Sequence, residues 1–205
     1  MDIEYIGSSY GGFPCCLSLL NEKSVIFDAG VLQDISFALG LYNKINCNIE
    51  LFDFTPESIS WYKKNHHQIE NLNYNEYGVS DFNGMHKVGG GGTSSRKGVW
   101  LGASHTETYL VKTLKTIMKE KKIKYIDLLK LDIEGEEYKV IPNMFKDGIY
   151  PTQICVEEHS RFLKDKQIHD NMFELILESY ILAEISPNRL ECCFIKKGVE
   201  GYEDA

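Results

Sequence analysis

From Tyr125 to Asp132 the chain reads YIDLLKLD, an apolar run that carries Lys130 and Asp132, with Glu134 two positions further on. Such a run is a strand buried near the middle of a sheet, and a period of two puts Lys130, Asp132 and Glu134 on one side while the strand lasts. Charges do not survive together in a core unless they pair or bind something. The segment therefore points either to a ligand site or to a structural ion pair between Lys130 and Asp132 or Glu134.

Around it, strand and helix signals alternate from Ser24 onward, the pattern of a parallel sheet covered by helices on both faces. Residues 24–28 form a strand and 34–43 a helix. Residues 47–53 form a second strand, after which Thr55-Pro56 supplies an N-cap and a first-turn proline for a helix reaching about His66. Strand-like pieces at 72–77 and 99–101 flank Gly89–Ser95, whose four consecutive glycines fix no backbone unaided. Helices are expected over 108–119 and 136–145, a strand over 153–157, and a helix marked by Ile168, Met172, Leu175 and Ile176. Residues 180–185, a Ser186-Pro187-Asn188 turn and residues 190–195 read as an antiparallel hairpin at the sheet edge. This order predicts an α/β fold of the Rossmann-like class I methyltransferase kind, mostly parallel with an antiparallel C-terminal hairpin strand. A single domain spans residues 1–205, with a polar tail from Gly198 expected to fray.

A formal net charge of −8 speaks against a protein that grips phosphate backbones, so nucleic acid is not the expected partner. The sequence has no apolar run of about 20 residues, and Met1-Asp2-Ile3-Glu4 lacks the features of a signal peptide, so a cytoplasmic protein without membrane association is expected. The six cysteines include two adjacent pairs but no C-x-x-C, and read as reduced apolar thiols.

In an open parallel sheet the ligand lies beyond the carboxyl ends of the strands. Those ends carry Asp28-Ala29-Gly30, Asp53, Asp81, Asp132 and Glu157-Glu158-His159. Asp28, Ala29 and Gly30 make a sharp turn over which a cofactor can lie, though a turn glycine alone reads the same way. Asp34 either caps the next helix or contacts ligand. Asp53 follows Asp28 at the spacing from which a carboxylate meets both ribose hydroxyls, or is simply a solvated strand end. His159 suits a general base. Alternatively, Asp132, Glu157 and His159 hold a divalent ion, Mg or Mn. His66, His67 and His86 are expected to be solvated.

Tyr125–Ile141, YIDLLKLDIEGEEYKVI, closely resembles the hallmark block of the FkbM-type methyltransferase family, an LK-hydrophobic-D-hydrophobic-EG-x-E pattern at the fourth strand. The N-terminal stretch through DAGVLQDISFALGL, together with LFDFTPESISW and YGVSDFNG, is similar to one subfamily. The resemblance implies an S-adenosylmethionine site formed by Asp28, Gly30, Asp34, Asp53 with Phe54, and Ser80-Asp81 near the adenine. It further implies that Tyr10 and Gly11 fold over the cofactor, with Gly89–Ser95 as a lid or acceptor loop. Its activity would be O-methylation of a sugar or other small-molecule hydroxyl, with His159 or Asp132 removing the proton and Lys130 orienting the acids. Leu32 stands where the subfamily tends to keep a second glycine. That departure keeps open a catalytically silent binding or assembly protein on the same fold, whereas a nicotinamide enzyme would need the G-x-G-x-x-G that the turn after Gly30 lacks.

Overall fold

The computed structural model describes residues 2–66, 69–88 and 107–199. Along the chain run β1 (Ile3–Ile6), β2 (Phe13–Cys16), β3 (Val25–Ala29), α1 (Ser36–Ile45), β4 (Asn48–Phe52), α2 (Pro56–Asn65) and β5 (Leu72–Asn75). Next come β6 (Gly78–Val79), β7 (Gly84–Val88), β8 (Glu107–Lys112), α3 (Leu114–Lys121), β9 (Leu128–Leu131) and α4 (Glu137–Lys146). The chain closes with β10 (Gln153–Glu157), α5 (Gln167–Ser179), β11 (Tyr180–Ile185) and β12 (Glu191–Lys196).

Seven strands form the central sheet in the order β11-β12-β10-β9-β3-β4-β5. β3, β4, β5, β9 and β10 pair in parallel, and β12 runs antiparallel between β10 and β11. This is the mostly parallel Rossmann-like sheet with an antiparallel C-terminal strand. The chain order reverses between β3 and β9, so the connections leave in opposite directions and open a crevice above their carboxyl ends.

Both faces are apolar because the middle strands alternate between two buried layers. Phe27, Leu129, Ile154 and Phe194 face the layer that contains residues of α3, α4 and α5, while Ile26, Leu128, Cys155 and Ile195 face the layer with α1 and the β1–β2 hairpin. The six cysteines are all buried thiols. The hairpin is held by a buried amide: Gln153 Oε1 accepts from Cys16 N at 2.8 Å, and Gln153 Nε2 donates to Cys16 O at 2.9 Å.

The helix expected over 108–119 forms only in its second half. Thr108, Tyr109 and Val111 are β-branched or aromatic and form β8, and Thr113 then starts α3 by accepting a hydrogen bond from Thr116 N at 3.2 Å. β8 pairs with β6 and β7 in a small three-stranded sheet that the sequence pattern did not announce. Residues 89–95 and 99–101 lie outside the described residues, as does the tail beyond Val199. No helix among the described residues is long and apolar enough to cross a membrane.

Gln153→Leu would leave a buried N–H and C=O of Cys16 unsatisfied, a loss of about 2–4 kcal/mol. Urea unfolding checks this, and a change below about 1 kcal/mol would show that the amide does not anchor the hairpin.

Candidate active site

The carboxyl edge of the sheet is organised around Lys130. Asp28 and Lys130 are direct partners across the parallel β3–β9 pair, and Lys130 Nζ lies 3.1 Å from Asp28 Oδ1 with both side chains buried. The ammonium also donates to Gly30 O at 2.9 Å, packs over the Phe13 ring at 5.1 Å, and stands 3.9 Å from Asp132 Oδ2. Burial alone would lower the Lys130 pKa, but the charges of Asp28 and Asp132 outweigh it and hold the group above its ordinary value. Its structural partner is thus Asp28, with Asp132 further off. This clamp brings the β3 turn hard against β9. A Cβ on Gly30, whose φ is +83°, would stand 1.7 Å from the Asp132 carbonyl oxygen, so only glycine permits the approach.

Above this edge lies a cavity of about 700 Å³, within the range that holds a cofactor and a small molecule. Strand order sets the sequence of its wall: Asp53 after β4, Gly30 after β3, Asp132 after β9, Glu157 ending β10, and Glu191 opposite Glu157 at the start of β12.

At one end, Asp53 Oδ2 accepts from Leu32 N at 2.8 Å while Oδ1 accepts from Thr55 N at 2.8 Å. Leu32 adopts a φ of +42°, the left-handed region that a glycine enters freely and a leucine enters at a cost of about 1–2 kcal/mol. The leucine nevertheless presents its N–H to Asp53. Phe54 lines the same end and stacks on Tyr109 at 4.6 Å, and Ser80 completes it. Asp34 also reaches the cavity, while its Oδ2 accepts from Ser8 Oγ at 2.6 Å and its Oδ1 from Ser36 N at 2.8 Å. Burial opposes those bonds, yet they prevail and keep its carboxyl below the ordinary range. Tyr10, 70% exposed, and Gly11 stand at the rim.

The other end is acidic. Asp132, Glu134, Glu136, Glu157 and Glu191 line it together with Arg161. Glu134 takes a left-handed φ of +58° and Gly135 follows at +100°, so the chain turns sharply after β9. Glu137, fully buried at the start of α4, holds that turn: Oε1 accepts from Ile133 N and Oε2 from Gly135 N, both at 2.7 Å. Glu137 Oε1 is also 3.2 Å from His159 Nδ1. The other ring nitrogen, Nε2, lies 3.6 Å from Glu157, 3.8 Å from Glu134 and 3.9 Å from Asp132. Burial, then the neighbouring Asp132, push Glu157 up to about 8. Burial would lower His159, but its hydrogen bond with Glu137 prevails and raises it to about 9, so the ring is cationic at neutral pH.

Of the residues nominated from sequence, Tyr10, Gly11, Gly30, Asp34, Asp53, Phe54, Ser80, Lys130, Asp132 and Glu157 meet at this cavity. Asp28 and Ala29 do not form its wall: Asp28 is buried as the counter-ion of Lys130, and Ala29 is fully enclosed in the sheet. Asp81 accepts from Ser80 Oγ at 3.2 Å and stands outside the wall. His159 is enclosed behind the acids. His86, expected to be solvated, lines the cavity because β7 folds back over it; His66 packs against Trp61, and His67 lies outside the described residues. Glu137 received no role from sequence, although it is the last residue of the EG-x-E pattern. Glu191 and Arg161 carried no motif.

Lys130→Met strands the Asp28 carboxylate and should cost about 3–5 kcal/mol, whereas adding Asp28→Asn should recover much of the loss. A double-mutant cycle by urea unfolding measures this; additive losses would mean the two groups do not act as a pair.

No curated protein matches the sequence. Solved structures match it at low identity. A fibrillarin–Nop5p complex is 9% identical with a TM-score of 0.51, over 86% of this chain and 73% of that one. A putative rRNA-methylase from Clostridium thermocellum is 10% identical with a TM-score of 0.50, over 88% of this chain and 90% of that one. At such identities the likeness shows the fold alone. The profile of the Methyltransferase FkbM domain, however, matches residues 30–183, most of the chain, from the turn after β3 into β11. Taken with the glycine turn, Asp53 and the LKLDIEGEE edge, that match means the chain belongs to the FkbM methyltransferase family of S-adenosylmethionine-dependent enzymes.

Proposed function

We propose that this methyltransferase acts on oxygen, methylating a hydroxyl of a sugar or another small polar metabolite in the cytoplasm. The carrying observation is the acidic wall: five carboxylate residues line the Asp132 end of the cavity. Ionised carboxylates only accept hydrogen bonds, so the ionised members of this cluster, with Glu157 raised to about 8 as the exception, suit a ligand that presents several donors, as a polyol does. The same wall, on a chain of net charge −8, repels phosphodiesters, which supports a small acceptor over nucleic acid.

The opposite end fits S-adenosylmethionine. Asp53 offers an acceptor oxygen toward a ribose, Gly30 lines the turn beside it, and Phe54 with Ser80 borders the space for an aromatic base. When bound, the cofactor supplies an activated methyl, which passes to the acceptor oxygen as the C–S bond breaks with its electron pair left on sulfur. The chain's own work is chiefly positioning. Lys130 fixes the distance between the β3 turn and Asp132, and Glu137 fixes the turn that carries Glu134. The hydroxyl proton goes to the Asp132 carboxylate. His159 is a poor acceptor in the ligand-free protein, since Glu137 already keeps its ring protonated. A silent binding protein has one motive, Leu32, and the orientation of the Leu32 N–H toward Asp53 weakens it.

Asp53→Ala should weaken S-adenosylmethionine binding by about 10–100-fold, the worth of hydrogen bonds to a charged group. Calorimetric titration measures it, and unchanged affinity would reject the ribose role. Incubation with the cofactor and a panel of free sugars, read by mass spectrometry, should yield O-methyl products; methylation confined to amines would reject oxygen as the acceptor.

A further inference from the structure

We infer that Asp132, Glu157 and His159 form a binding site for one divalent cation, which holds the acceptor hydroxyl and an adjacent oxygen at the mouth of the cofactor cleft. One ligand atom from each of the three residues lies within 4.8 Å of the others. His159 Nε2 is 3.6 Å from Glu157 Oε1 and 3.9 Å from Asp132 Oδ1. Donors bound side by side to one cation with bonds of about 2.1–2.2 Å are roughly 3–4 Å apart, so small side-chain movements suffice to close the site.

A second observation lies behind the cluster. Metal-bound imidazoles present their other ring nitrogen to a carboxylate, which fixes ring orientation. Glu137 does this for His159, 3.2 Å from Nδ1, and is itself fixed by two backbone N–H donors and complete burial. The ring is thereby aimed at the acids of the cavity wall. The wall also contains Glu136, whose Oε1 pairs with Lys139 while its buried Oε2 has no hydrogen-bond partner among the described residues. Glu136 thus adds to the same wall a buried acceptor oxygen that has no donor among the described residues.

Two carboxylates neutralise a divalent ion, with His159 giving up its Nε2 proton and Glu157 its carboxyl proton to solvent as the ion enters, and coordination positions stay open on the cavity side. An oxygen-rich set with a single imidazole suits Mn²⁺ or Mg²⁺. The ligand class that fills two adjacent open positions is a vicinal diol or an α-hydroxy acid, so the acceptor should carry an oxygen next to the hydroxyl that is methylated. A cation held there would lower the pKa of that hydroxyl, with Asp132 Oδ2, the oxygen 3.9 Å from Lys130 Nζ, placed to take its proton.

This inference uses the preceding reading only for what the cation holds, and the test separates the two. Full-length protein, dialysed against EDTA, is titrated with Mn²⁺ and followed by the electron paramagnetic resonance of the aquo ion; S-adenosylmethionine binding is measured calorimetrically on the same sample. One Mn²⁺ per chain is expected, weakened at least about 30-fold by Asp132→Asn and by Glu157→Gln, and about 10–100-fold by Glu137→Gln through the histidine. The two isosteric cavity-wall variants guard against misfolding of any one, with circular dichroism as control. Absence of stoichiometric Mn²⁺ binding, or affinity unchanged in both Asp132→Asn and Glu157→Gln, overturns the site. Cofactor binding without Mn²⁺ binding would overturn the cation site and leave the methyltransferase reading intact; Mn²⁺ binding without cofactor binding would do the reverse.

Discussion

The buried contact between Lys130 and Asp28 is the constraint on which the rest of the edge depends. Two charges removed from water are stable only if each remains paired, and here the pair joins the two strands between which the chain order reverses. The same ammonium donates to Gly30 O, so one side chain sets the distance between the first turn and β9. Gly30 can accept that distance because no Cβ intrudes on the Asp132 carbonyl. Phe13 covers the pair from the N-terminal hairpin, and Gln153 holds that hairpin on the sheet. Fold and site are therefore coupled through a few buried polar contacts rather than through apolar packing alone.

Charge also divides the cavity into two working halves. At the Asp53 end Oδ1 accepts from the Thr55 N–H and hydroxyl and Oδ2 from the Leu32 N–H, which fixes the carboxylate's orientation and leaves a lone pair on Oδ2. At the Asp132 end the acids outnumber the cations near them, and burial, followed by the charge of Asp132, raises the Glu157 carboxyl. His159, enclosed and cationic, compensates part of that charge, and Glu137 keeps it there. Under the proposed function, hydroxyl donors or a cation would complete the compensation. A site of this kind is preorganised, since its acids are held by the turn and helix that follow β9 instead of by the ligand.

Much of this arrangement was legible in the amino-acid sequence, for physical reasons. A parallel strand buried on both faces reads as an apolar run, so β3, β4, β9 and β10 stand out, and any charge within such a run demands a partner, which singled out Lys130 and Asp132. The identity of that partner was not legible: Asp28 lies about a hundred positions away and meets Lys130 only through sheet register. Glu137 was hidden because a glutamate at a helix start has an ordinary local reading, and its buried bonds depend on the Glu134–Gly135 turn. The stretch before α3 misled because Leu110 and Leu114 mimic helical spacing, whereas Thr108, Tyr109 and Val111 prefer the extended chain that pairing with β7 supplies. Glu191 reaches the site only because β12 runs antiparallel beside β10, a tertiary fact with no sequence motif.

The most direct test of the central claim is a crystal structure with S-adenosylhomocysteine bound. Ribose hydroxyls within hydrogen-bond distance of Asp53, the adenosyl group lying over the Gly30 turn, and the sulfur directed at Asp132 are the predicted result. An adenosyl group seated away from that turn, or a Lys130 displaced from Asp28 when the ligand is in place, would contradict the account.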